Sequence, residues 1–135
     1  MALISKVQYV GALRNEAEHI RSGNTIVTDA PLDNNGKGEA FSPTDLVATA
    51  LGACALTVMG IRARAEGFDL EETSVEVEKV MADNPRRIAA IKLNFVLKAN
   101  CSEKMQKILE GIGRNCPVAK SLSADLEQDL HFTWH

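Results

Sequence analysis

The sequence predicts an α+β fold. A long segment without charge, Leu46 to Ile61, reads as one apolar helix, and several short segments alternate apolar and polar residues with a period of two. The order of these elements is strands, one helix, two strands, two helices and a final strand, which segregates helices from sheets. With 135 residues the chain has the size of one domain, 1–135. Such a chain buries roughly two thirds of its unfolded surface, enough for a core without covalent staples.

The first strands are expected within residues 6–28. Val7, Tyr9 and Gly11 alternate with Gln8 and Val10, Ser22-Gly23-Asn24 is a turn signal, and Thr25-Ile26-Val27-Thr28 is β-branched. The polar stretch 14–21 is ambiguous between helix and strand by pattern, and a meander of three antiparallel strands accommodates it. Residues 29–42, with Asn34-Asn35-Gly36-Lys37-Gly38, read as a loop.

The helix that follows has a clear start. Ser42 fits the N-cap, Pro43 the first helical position and Asp45 the third, where its carboxylate can reach back to the cap. The helix is expected to run to Glu66, with Gly67 just past its end. Its uncharged body predicts burial nearly all round. One small sheet cannot cover an apolar cylinder on every side, so a homodimer with the two central helices inside is expected.

Thr73, Val75 and Val77, then Ile91, Leu93, Phe95 and Leu97, alternate with polar residues on either side of a turn at Asp83-Asn84-Pro85. They predict half-buried antiparallel strands with one wet face. Ser102 caps a second helix with apolar residues at Met105, Ile108, Leu109 and Ile112. Pro117 opens a third, short helix through about Leu122, and Leu130, Phe132 and Trp134 mark a last strand. The expected architecture is therefore antiparallel sheets around a long buried central helix.

The net charge of −3, from 15 basic and 18 acidic residues, argues against nonspecific nucleic-acid binding. The start lacks the pattern of a signal peptide, and the 46–61 run falls short of a bilayer span. The expectation is a soluble cytoplasmic protein without a membrane partner. Three cysteines are an odd number for a disulfide framework, and a reducing compartment favours catalytic or sensing thiols.

Cys54 lies inside the long helix. It reads either as a small buried hydrophobe or as a functional thiol that draws its cation or donor from elsewhere. Cys116 precedes Pro117 and so stands at an N-cap, where the helix terminus favours a thiolate. On the residues alone, Cys116 is the more acidic thiol. Cys101, between a strand and a helix, reads as a boundary residue. No C-x-x-C pair occurs, and His131 and His135 fall on the last strand, where they are expected to face solvent. No metal site and no phosphate-binding loop is expected.

The segment Ser42-Pro43-Thr44-Asp45-Leu46 leading to Gly52-Ala53-Cys54, taken with Asn115-Cys116-Pro117-Val118-Ala119-Lys120-Ser121-Leu122, resembles the OsmC/Ohr family of osmotically inducible and organic hydroperoxide resistance proteins, in particular its OsmC-like branch. The resemblance covers nearly the whole chain. It implies an OsmC-like fold, an intertwined homodimer and a thiol peroxidase that needs no cofactor. Cys54 would be the peroxidatic cysteine and Cys116 the resolving one, with organic hydroperoxides as substrates and a dithiol, such as a lipoyl group on a protein, as reductant. The family needs an arginine near the first strands, for which Arg14 is the best match and Arg21 the reserve. Well-characterised members carry glutamate directly after the proline. This chain has Thr44 there, and Asp45 is the nearest substitute. That departure keeps a second reading open, of a non-catalytic dimer on the same fold that binds a small ligand or senses redox state.

Overall fold

A computed structural model describes residues 2–135. They fall into two compact units, divided between Leu46 and Val47. In chain order the elements are β1 (Ser5–Gly11), β2 (Arg14–His19), β3 (Thr25–Asp29), α1 (Pro43–Ala65), β4 (Glu71–Ala82), β5 (Arg87–Lys98), α2 (Glu103–Arg114), α3 (Pro117–Ser121) and β6 (Glu127–Trp134), with a short 3-10 turn at Leu32–Asn34.

The first unit is the expected meander. β1 pairs antiparallel with β2, and β2 with β3. Of the ambiguous stretch 14–21, residues 14–19 are strand because β2 lies between two partners that take up its backbone groups on both sides, and residues 20–21 are turn. The register puts Val7, Tyr9, Ala17 and Ile26 on one face. Three of these are largely bare: Val7 and Tyr9 are 62% exposed and Ile26 is 51% exposed. The hairpin from β1 to β2 turns through Ala12 and Leu13, both left-handed at φ 54° and 63°. Such a pair matches the twist of the strands but is unusual without glycine or asparagine.

The start of α1 is built as its residues predict. The Ser42 hydroxyl accepts the Asp45 N–H, and an Asp45 carboxylate oxygen accepts the Ser42 N–H, both at 3.0 Å. Both donors would otherwise be orphaned at the helix end. The far end closes as a Schellman motif. The Phe68 N–H reaches the Ala63 carbonyl and the Gly67 N–H reaches that of Arg64, with Gly67 left-handed at φ 89°.

In the second unit α1 lies on a sheet of order β4-β5-β6. One face of the helix, Ala48, Leu51, Gly52, Ala55, Met59 and Ala63, is buried. It packs in a core with Ile91, Leu93, Phe95 and Leu97 of β5, Leu109 of α2, Cys116 and Leu130. Burial all round is not found within this chain: Val47, Ala50, Ala53, Thr57 and Ile61 remain exposed along the opposite side. α1 is also long and apolar enough to cross a membrane by length and composition, a test that the core helix of a soluble protein passes equally.

The expectation of wholly antiparallel sheets needs one correction. β4 and β5 are antiparallel, but β6 runs parallel to β5, with Leu93 opposite Leu130 and Phe95 opposite Phe132. The reason is the connection. α2 and α3 intervene between β5 and β6, and a helical crossover returns the chain to the end at which β5 began. Phe95 and Phe132 stack at 4.6 Å between ring centres, and the Arg114 guanidinium lies 5.0 Å from the Phe132 ring.

Two glycines set how closely α1 is approached. A Cβ on Gly52 would stand 3.2 Å from Val75 Cγ1 and 3.3 Å from Val77 Cγ2, so the helix backbone rests almost directly on β4. A Cβ on Gly113 of α2 would stand 2.8 Å from the Met59 sulfur. Gly52→Val is expected to lower the unfolding free energy by about 1–3 kcal/mol through overpacking. Urea unfolding of the variant and the parent checks this.

Candidate functional site

Cys54 sits in the body of α1, half-buried and packed against the core of the second unit. Cys116 is 1% exposed and forms the N-cap of α3. Its sulfur accepts the Ala119 N–H at 3.5 Å. The two cysteines, far apart in sequence, belong to one core: Cys116 lies within it and Cys54 packs against it, near enough for Cys54 to help raise the Cys116 thiol. Both are free thiols. Met59 against Gly113 brings the end of α2 close to α1, and the chain reaches Cys116 three residues later.

The acidity expected for Cys116 is overturned. Its thiol is pushed up from the ordinary value, chiefly by burial and further by Cys54, while the backbone N–H groups of Ala119 and Val118 pull it down. α3 has only five residues. Its terminus offers too little to offset the loss of water around the sulfur. Burial thus leaves the Cys116 thiol less acidic than an ordinary one.

The other sequence candidates have surroundings of their own. Cys101 lies between β5 and α2, with its thiol pushed up by burial. Asp45 is engaged in capping α1, and the Thr44 hydroxyl lies 3.2 Å from that of Ser42. Arg21 is in the exposed turn after β2. His131 is exposed and 2.9 Å from Asp129. Among the described residues no group of histidines, cysteines or acids could hold a metal ion.

Arg14, in the first unit, has partners that sequence reasoning did not supply. Its Nη2 donates to Asp29 Oδ2 at 3.0 Å and lies 3.7 Å from Glu39 Oε2. Asp29 Oδ2 also accepts the Glu39 N–H at 3.0 Å. The hydrogen bond from Arg14 is the main cause that holds the Asp29 carboxyl below its usual range, and the same bond raises Arg14. Arg14 and Asp29 are direct partners in the β2–β3 register. The available signal was the period-two spacing on a predicted hairpin, but the register that pairs these two could not be read without the turn. On the opposite face of the meander, Tyr9, Asn15 and Thr28 line a cavity of about 290 Å³ with Leu13, Pro31 and Pro43.

A family model described as OsmC-like protein matches residues 36–130. The chain belongs to the OsmC family. Among solved structures, this OsmC-like chain is similar to a Psychrobacter arcticus protein described under osmotic stress induction and detoxification response. The two are 47% identical with a TM-score of 0.94, over 98% of this chain and 97% of that one. It shares its fold with an organic hydroperoxide resistance protein OsmC of Legionella pneumophila, at 20% identity and a TM-score of 0.70, over 98% and 97% of the two chains. It likewise shares it with an organic hydroperoxide resistance protein of Elizabethkingia anophelis, at 14% identity and a TM-score of 0.76, over 100% and 99%. No curated protein matches the chain.

The raised Cys116 thiol has a consequence for the OsmC-like fold. A group that holds its proton more tightly when folded contributes fully below its unfolded pKa, roughly 8.5 for a thiol. The contribution is lost as pH rises through the higher folded value. The reduced protein is expected to lose stability between neutral pH and about pH 10, and Cys116→Ala is expected to lose less over the same interval. Urea midpoints of both proteins at the two pH values check this.

Proposed function

We propose that this OsmC-family chain is a thiol-dependent peroxidase that reduces organic hydroperoxides. The observation that carries the reading is the convergence of two free thiols, Cys54 and Cys116, on one core. Its membership of the family and its likeness to organic hydroperoxide resistance proteins support it.

The Cys54 thiolate attacks the distal oxygen of the hydroperoxide. The O–O bond breaks, the alkoxide leaves and takes a proton as the alcohol, and Cys54 becomes a sulfenic acid. The Cys116 sulfur then attacks the Cys54 sulfur, water leaves, and a disulfide remains. A dithiol reductant, such as a lipoyl group on a protein, exchanges with that disulfide, is itself oxidised and restores both thiols. Arg14 is the cation that favours the Cys54 thiolate in this reading, and it is ion-paired with Asp29. Asp45, the nearest substitute for the family's glutamate, also caps the start of α1.

The protein acts as a homodimer in the cytoplasm, with no membrane or nucleic-acid partner. Support comes from each unit separately. The meander leaves Val7, Tyr9 and Ile26 bare, and α1 leaves Ile61 63% exposed along with Val47. Apolar faces of this extent mark interaction surfaces.

A second reading, of a ligand-binding or redox-sensing dimer without turnover, draws on Thr44 in the position of the glutamate and on the cavity beside Tyr9, Asn15 and Thr28. Steady-state consumption of cumene hydroperoxide with a dithiol reductant separates the two. Cys54→Ser is expected to abolish turnover. Cys116→Ser is expected to undergo one oxidation and then stall. Robust turnover by Cys54→Ser contradicts the mechanism, and a parent protein that ignores the peroxide favours the second reading.

A further inference from the structure

We infer that Asp29 is a positioning residue of the peroxidase, acting by holding the Arg14 guanidinium in one place and orientation. The inference rests on the reading of Arg14 as the cation that serves the thiol.

Asp29 is 1% exposed and is the one charged residue among the described residues with its whole side chain out of water. Burying a carboxylate is costly unless partners replace its water. The partners here are lopsided. Oδ2 takes both Arg14 Nη2 and the Glu39 N–H, at 3.0 Å each. Oδ1 is buried with no hydrogen-bond partner. A carboxylate kept only for stability would be expected to use both oxygens, since an unsatisfied buried acceptor costs free energy. A buried ion pair is in any case weak evidence for stability, because an apolar pair of similar volume often does as well.

The arrangement suits orientation instead. Arg14 is itself 36% exposed and meets both carboxylates through Nη2 alone. Among the described residues Nη1 and Nε have no acceptor, so one edge of the fork is fixed and the rest is left for an anion. The hold is rigid on the Asp29 side. The Asp29 N–H donates to the Phe41 carbonyl at 3.0 Å, and the Ala30 N–H donates to the Leu13 carbonyl at 3.2 Å. The carboxylate thus stands on a strand end clamped both to the β1–β2 turn and to the 30–42 loop. Glu39 cannot take over this part: its carboxylate is 63% exposed and 3.7 Å from Arg14.

The test is a double-mutant cycle on second-order oxidation of the reduced protein by cumene hydroperoxide, followed by thiol loss, with melting curves to confirm folding. Arg14→Ala is expected to slow oxidation. Asp29→Asn, which keeps the shape and removes the charge, is expected to slow it by roughly tenfold or more, the range of one lost charge-assisted contact. Asp29→Glu is expected to recover part of the loss. The double variant is expected to be no slower than Arg14→Ala alone, because Asp29 acts through Arg14. A folded Asp29→Asn protein that oxidises as fast as the parent, while Arg14→Ala is slow, overturns the inference and leaves the peroxidase reading standing. Equal slowing by Asp29→Asn in the presence and absence of Arg14 overturns it as well, since a merely structural role gives that result. A parent that is not oxidised, or an Arg14→Ala protein as fast as the parent, removes the reading on which the inference rests and the inference with it.

Discussion

The close approach of α1 to its neighbours is the constraint on which the thiol pair depends. Gly52 lets the helix backbone down onto Val75 and Val77, and Gly113 lets the end of α2 come against Met59. Cys54 lies two residues after the first contact and five before the second. Cys116 follows Gly113 by three residues, after the chain has left α2 and before Pro117 starts α3. A Cβ at Gly52 would crowd Val75 and Val77, and one at Gly113 would displace the Met59 side chain. The placing of both cysteines at one core is thus tied to helix packing.

The burial of Cys116 also bears on its chemistry. Desolvation raises its thiol, against the pull of the short α3 terminus. The proposed mechanism gives Cys116 the second step, in which its thiol loses its proton as the sulfur attacks the oxidised Cys54. The cation that the proposed mechanism gives to the first step has its own support within the first unit. Arg14 is held by Asp29 across the β2–β3 ladder, and Asp29 is held by the loop that leads to the α1 cap.

Much of this was legible in the sequence, for physical reasons that can be named. Ser42, Pro43 and Asp45 declared the start of α1 because capping is local, and Gly67 declared its end because a left-handed residue is needed there. The period-two runs at 73–77 and 91–97 gave β4 and β5. The apolar surface of α1 is plain in its uncharged run, and within this chain one side of the helix stays bare. What was not legible depends on distant partners. The parallel pairing of β6 follows from a crossover through two helices. The partner of Arg14 lies 15 residues on, in a register fixed by an Ala12-Leu13 turn that carries no glycine or asparagine signal. Cys116 was misjudged because its helix position shows in the sequence and its burial does not.

The most direct test of the account is the intact mass of the protein under nonreducing conditions, after one equivalent of an organic hydroperoxide. The account predicts the loss of two hydrogens, with Cys54 and Cys116 joined in the peptide map and Cys101 still free. An unchanged mass, or a crosslink that involves Cys101 in place of Cys116, would contradict it.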